Sequence, residues 1–337
     1  MNARSRSSRK KRNETLFFAA AVLILTLILI GLVALLSHTV RTSVPVQIGT
    51  AGYAFSPQSE PKGGGEPTPV AEKSAIGVWD DELYSSNAIL INNTTSEILF
   101  VKDAYAKIYP ASITKVMTAI LAIENIPDLN AEITLSDTMF QYIIEQNASV
   151  AGFSPNETVT ARDMLYALLL PSGADAAIGL AMYLAGDETT FAALMNTKAK
   201  EIGMENTHFV NATGLHDDGH YSTVYDLALM LRYALTLPLF RQISSTETYT
   251  TTSTKYHYGG LVLTNTLFAN LKASGRKNNF IAGGKTGYTY EALQCLASYA
   301  EKESNEYILV TVGAGEDNKK KQEHILDALT VYADYAD

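Results

Sequence analysis

Two serines and two lysines in this chain sit in short motifs whose residue types suit nucleophilic acyl chemistry: Ser112-Ile-Thr-Lys115, Ser172-Gly-Ala174 and Lys285-Thr-Gly287. On a helix Ser112 and Lys115 are three apart and share a face, which brings the amine beside the hydroxyl. The surrounding positions are apolar, and a lysine in a partly dry site has its charged form disfavoured, so it can act as a base toward the serine. Ser112 also stands at the amino end of its helix, where free N–H groups favour developing negative charge, and its own N–H can serve as one oxyanion donor. Taken alone, the same pair also fits a solvated helix face. Ser172 comes after Leu168-Leu-Leu-Pro171 at an abrupt turn between helices, which suits either a helix cap or a second active hydroxyl. Lys285-Thr-Gly287 comes after Gly283-Gly284 at the start of a strand. A lysine on an edge strand often serves only to discourage aggregation. Here the glycines also allow an extended ligand to approach, while Lys285 and Thr286 offer a cation and a hydroxyl to a carboxylate.

The elements that must position these residues are legible in outline. Asn87–Asn92 and Glu97–Val101, joined by the polar turn Asn93–Ser96, predict a hairpin. Apolar residues at helical spacing behind Pro110 predict a buried helix over Ser112–Glu124. Helical patterns continue at Ala161–Leu170, Ala174–Ala185, Thr189–Ile202 and Thr223–Leu235, and strands at Gly283–Tyr288, Leu293–Glu301 and Tyr307–Val312, before an amphipathic helix over Lys319–Tyr335. The expected fold class is α/β (α+β). One antiparallel sheet built from the early hairpin and the late strands is flanked by helices, an all-helical lobe is inserted between its strands, and a cleft lies where the two meet.

Composition narrows the function classes. The chain has 337 residues, 47% of them apolar, enough to bury a full core. Net charge is −9, but the first twelve residues hold six basic side chains and no acid, leaving the remainder at −15. An acidic body lacks the basic stripe that nucleic acid requires. Leu16–Leu36 is 21 residues without a charge, roughly the length that spans a bilayer core. Its length and its Leu35-Leu-Ser-His38 exit fit a retained anchor better than a cleaved leader. Residues 1–15 therefore read as a basic cytoplasmic tail, 16–37 as a transmembrane helix, 38–75 as a Pro/Gly/Ser/Thr-rich linker and 76–337 as an extracytoplasmic domain. The lone cysteine, Cys295, lies in a strand-like apolar run and reads as a small buried residue.

From about Ala88 to Val312 the sequence resembles the low-molecular-mass penicillin-binding proteins, the D-alanyl-D-alanine carboxypeptidases that share a fold with class A β-lactamases. The three motifs occur in the family's order. Around them run Tyr109-Pro-Ala-Ser-Ile-Thr-Lys-Val-Met-Thr-Ala119, Leu168 through Ala177, His208-Phe-Val-Asn-Ala-Thr-Gly-Leu215, Gly219-His-Tyr-Ser-Thr223 with Asp226-Leu-Ala228, and Gly284-Lys-Thr-Gly-Tyr-Thr289. The resemblance implies that Ser112 attacks the carbonyl between two D-alanines of a peptidoglycan stem peptide, that Lys115 takes its proton, and that Ser172 relays a proton to the departing amine. It further implies that Lys285 and Thr286 of the Lys285-Thr-Gly287 motif orient the terminal carboxylate. The backbone N–H of Tyr288 would join that of Ser112 in an oxyanion hole. β-Lactams are expected to acylate Ser112, and no metal or cofactor is expected.

One position departs from the family pattern. Most relatives carry Asn third in the second motif, where its amide would contact the peptide, and this chain has Ala174, which predicts altered or slower catalysis. A catalytically weak wall-binding protein is the alternative reading. His208, His220 and Asp226 match no common zinc spacing and read as structural. A class A β-lactamase would also need a glutamate ahead of an asparagine to activate water. The corresponding His208–Gly214 segment has none, so a penicillin adduct should persist. With 50 residues beyond Gly287, the second domain and terminal anchor of many relatives are not expected here, and attachment is expected through the amino-terminal helix.

Overall fold

A computed structural model describes residues 83–315 and 321–335. The expected tail, transmembrane helix and linker lie outside the described residues, and no helix among the described residues is long and apolar enough to cross a membrane. In chain order the elements are β1 (Asn87–Asn92), β2 (Glu97–Lys102), a 3₁₀ turn at Ala111–Thr114, α1 (Lys115–Asn125), β3 (Glu132–Thr134), α2 (Asp137–Glu145) and β4 (Thr158–Thr160). Next come α3 (Ala161–Leu169), α4 (Ala174–Ala185), α5 (Glu188–Glu201), α6 (Val224–Ala234), α7 (Pro238–Ser244), β5 (Thr248–Thr250), β6 (Val262–Thr264) and α8 (Thr266–Ala273). The chain closes with β7 (Ile281–Thr289), β8 (Leu293–Lys302), β9 (Asn305–Ala314) and α9 (Glu323–Tyr335).

The early hairpin and late strands do share one antiparallel sheet, in the order β2-β1-β9-β8-β7. Strand alternation divides its side chains between two cores. Ile89 and Ile91 of β1 face the core shared with α1, α3, α4 and α6, whereas Ala88 and Leu90 face a second core closed by α8 and α9. That double burial explains why β1 reads as a continuous apolar run. The inserted lobe is not all-helical, as the sequence pattern predicts, but contains two small antiparallel ribbons, β3-β4 and β5-β6. Their strands are three residues each, too short for a period-2 pattern to stand out against helical spacing.

Several helices start where the sequence supplies a side-chain cap. Ser136, Thr160, Asp187, Thr223 and Asn265 each accept a backbone N–H from the first turn of α2, α3, α5, α6 and α8, respectively. Caps of this kind each stabilise a helix by about 1 kcal/mol. The helix predicted over Ser112–Glu124 instead becomes α-helical only at Lys115, because Ala111 takes a positive φ of 47° and the chain winds tightly through Thr114. β7 is one of the two edge strands of the sheet and lies beside the 3₁₀ turn.

Candidate active site

The tight turn determines the geometry of the first motif. In a 3₁₀ turn, residues i and i+3 eclipse one another rather than lying about 60° apart, as they do in an α-helix. Lys115 Nζ accordingly stands 3.0 Å from Ser112 Oγ, and it donates to the Thr213 carbonyl at 2.6 Å. Lys115 is only 3% exposed, and burial brings its pKa down to about 7, against the opposing pull of the Asp175 carboxylate. A free amine is thus accessible near neutral pH, held beside the hydroxyl it would deprotonate.

The carbonyl that holds Lys115 comes from an Asx-type turn. Asn211 Oδ1 accepts from the N–H groups of Thr213 and Gly214 and from the Thr213 hydroxyl, which aims the Thr213 carbonyl at the ammonium. Gly214 closes the turn at φ +77°, packed so tightly that a Cβ there would lie 1.9 Å from the Ala111 carbonyl oxygen. The stretch Asn211-Ala-Thr-Gly214 is therefore the support of the first motif. His220, on the neighbouring loop, lies with Nε2 2.8 Å from Thr114 Oγ1 while its Nδ1 accepts the Val210 N–H at 3.2 Å. Burial lowers its pKa to about 4. His208 and Asp226 are engaged separately. His208 Nδ1 pairs with the Gly219 carbonyl, and Asp226 accepts from Asn206, Thr207 and Thr223 N–H or hydroxyl groups.

Ser172 takes the left-handed conformation, φ +66°, at the turn from α3 into α4. It does not cap α4. Gly173 occupies the cap position without a side-chain bond, and the buried Ser172 Oγ has no hydrogen-bond partner. A buried, unpaired hydroxyl in a strained backbone is costly unless a ligand completes it. Ala174 is buried behind the turn and does not line the cleft.

β7 brings the third motif alongside the first. Gly287 passes so close that a Cβ would stand 3.1 Å from the Ser112 backbone nitrogen and 3.4 Å from Cys295 Cβ on the paired strand. Cys295 is fully buried and its thiol is pushed up to about 12, in keeping with a packing role. Thr286 Oγ1 lies 2.6 Å from Thr266 Oγ1 of α8 and lines the cleft. Lys285 differs from expectation. Its buried Nζ donates to the Thr286 carbonyl at 2.8 Å and it is not among the cleft-lining residues. Desolvation first, and then the nearby Lys115 charge, hold its pKa well below the ordinary lysine value.

The resulting cleft, about 250 Å³, is lined by Ser112, Ser172, Thr286, Gly287 and Tyr288. It also takes in Ser149, Pro171, Thr266, Asn270, Gln294, Gln322 and His324, which sequence reasoning missed. Gln294 and His324 are joined by a 2.5 Å hydrogen bond, and Asn270 Nδ2 lies 3.3 Å from His324 Nε2. No spacing signal could have found them, since they come from α8, β8 and α9 and meet only when the sheet edge forms. Among the described residues no group of three metal-ligating side chains gathers.

Residues 73–316 match the S11 peptidase family model, described as D-alanyl-D-alanine carboxypeptidase. Over 235 residues the chain is 35% identical to D-alanyl-D-alanine carboxypeptidase DacF of Bacillus subtilis, a match covering 68% of this chain and 57% of the relative's length. It is 33% identical over 237 residues to a D-alanyl-D-alanine carboxypeptidase of Streptomyces strain K15, covering 68% and 80%, respectively. The crystal structure of the Streptomyces K15 DD-transpeptidase superposes with a TM-score of 0.66 at 28% identity, covering 75% of this chain and all of that one.

Proposed function

The chain belongs to the S11 peptidase family of D-alanyl-D-alanine carboxypeptidases, and from that premise we propose that it removes the terminal D-alanine of peptidoglycan stem peptides through an acyl-enzyme on Ser112. The observation that carries the reading is the 3.0 Å approach of Ser112 Oγ to a lysine whose pKa has fallen to about 7.

Lys115 takes the Ser112 proton as Oγ attacks the carbonyl between the two D-alanines, and the N–H groups of Ser112 and Tyr288 receive the charge on the carbonyl oxygen. The unpaired Ser172 Oγ is positioned to pass a proton to the departing amine, which leaves as D-alanine. Water then cleaves the Ser112 ester. The Thr286 hydroxyl, shared with Thr266, faces the terminal carboxylate, while Lys285 acts from behind the strand through its bond to the Thr286 carbonyl. β-Lactams enter the same path as far as the acyl-enzyme. The domain works outside the cytoplasmic membrane, held by Leu16–Leu36 with its basic amino-terminal flank and spaced by residues 38–75, a reading supported by length and charge.

The test incubates the full-length protein in detergent with a peptide ending in D-Ala-D-Ala. Wild type releases D-alanine and forms a persistent fluorescent-penicillin adduct, and Ser112→Ala does neither. Absence of release from wild type would favour the wall-binding alternative, and rapid turnover of penicillin would favour a β-lactamase.

A further inference from the structure

The second motif lacks the polar third side chain, yet the wall beside Ser172 still carries a hydroxyl. Ser149, in the loop after α2, lines the cleft together with Ser112 and Ser172. It comes from a part of the chain that none of the three motifs includes, and two observations fix it against the second motif. The Ala174 N–H donates to the Ser149 carbonyl at 2.7 Å, so the loop lies directly over the residue whose side chain is missing. The next residue of the motif, Asp175, is fully buried and clamps the loop just beyond Ser149. Its carboxylate accepts the backbone N–H groups of Ala151 at 2.9 Å, Gly152 at 3.1 Å and Phe153 at 3.2 Å, besides that of Ala176 at 3.0 Å. Buried Phe153 anchors the far end in the main core.

A carboxylate with four backbone donors holds a loop in one place at the cost of its own desolvation, which makes sense where the loop must present something. This loop presents the Ser149 hydroxyl to the cleft. That side chain is solvent-exposed and makes no hydrogen bond among the described residues. A hydroxyl both donates and accepts, as an asparagine amide does, so it can serve either the C=O or the N–H of a peptide group.

We infer that Ser149 is a substrate-positioning residue, hydrogen-bonding a peptide amide of the acyl donor from the cleft wall beside Ser172, in front of the buried Ala174, and that Asp175 holds it there. The inference rests on the carboxypeptidase reading above for the identity of the donor.

The experiment is a double-mutant cycle in the full-length protein with Ser149→Ala, Ala174→Asn and the pair, measuring KM and kcat for D-alanine release and the rate constant for acylation by a fluorescent penicillin. Losing one neutral hydrogen bond to bound substrate is worth roughly five- to tenfold. Ser149→Ala should lose that much kcat/KM with Tm unchanged, and the loss should shrink below twofold when residue 174 is Asn. Asp175→Asn, which releases the loop while leaving Ser149 in the chain, should impair acylation in the same direction. The inference is overturned if Ser149→Ala stays within twofold of wild type, or if its loss is the same with Ala or Asn at 174. Should wild type take up penicillin but release no D-alanine, the carboxypeptidase reading fails, and the acylation rates of the four proteins still decide the role of Ser149.

Discussion

Lys115 is made a base by where it sits. An ammonium enclosed by the apolar faces of α1 and its neighbours loses hydration, and that loss outweighs the attraction of Asp175, so the pKa falls to about 7. Three charged or titratable groups bear on it from other elements: Asp175 at the start of α4, Lys285 on β7 and His220 in the loop before α6. Below pH 7 the amine is protonated and cannot take the Ser112 proton, and above it the base form is present. The penicillin acylation rate of the free enzyme should therefore climb through pH 7 and level off by about pH 8 to 9. Lys115→Arg, whose guanidinium stays charged, should abolish that limb and slow acylation by at least about 100-fold. A flat wild-type profile between about pH 6 and 8 would remove Lys115 from the role of base.

At the scale of elements, the site depends on three pieces of backbone meeting at one point: the 3₁₀ turn that carries Ser112, the Asn211–Leu215 turn that carries the Thr213 carbonyl, and β7. The contact at Gly214 leaves no room for a side chain, and the one at Gly287 is tight for a Cβ, 3.1 Å from the Ser112 nitrogen. Gly214 is confined both by its left-handed φ and by the Ala111 carbonyl. Gly214→Ala should destabilise the domain by more than about 1 kcal/mol, seen as a lower urea midpoint, because both the conformation and the space exclude a methyl group. It should also slow penicillin acylation by displacing Ala111 and so Ser112. Preserved acylation in a folded Gly214→Ala protein would show that the turn does not position the nucleophile.

At the scale of the molecule, two imidazoles among the described residues are buried, His220 and His324. His220 supports Thr114 under the first motif, and His324 joins α9 to Gln294 of β8 and Asn270 of α8. Burial lowers both to a pKa of about 4. Between about pH 6.5 and 4 the unfolded chain takes up these protons and the folded one does not, so each histidine removes stability as pH falls through that window. The slope approaches about 1.4 kcal/mol per pH unit for each. The carboxyls of Asp175, Asp226 and Asp327, held above their usual range mainly by burial, act with the opposite sign in the acid part of the same window. The clean measurement is therefore a difference. The fall in Tm from about pH 6.5 to 4.5 should be smaller in His324→Gln than in wild type, and equal slopes would mean that His324 titrates normally.

That Ser112, Ser172 and Thr286 share one cleft, with Lys115 beside Ser112, follows motifs that could be read as candidates in the sequence because they are local, and local spacing on a helix, turn or strand survives folding. The five strands of the main sheet were legible for a similar reason, since periodicity reports burial on each element separately. Other features were decided by the tertiary structure. The 3₁₀ winding at Ala111–Thr114 depends on the Ala111 carbonyl packed against Gly214, about 100 residues away in the chain. The near-complete burial of Lys285 is likewise a matter of packing around β7 rather than of its motif. Ser149, Asn270, Gln294 and His324 enter the cleft from four separate elements or loops, and distances between segments far apart in the chain are properties of packing, which no single stretch of sequence contains.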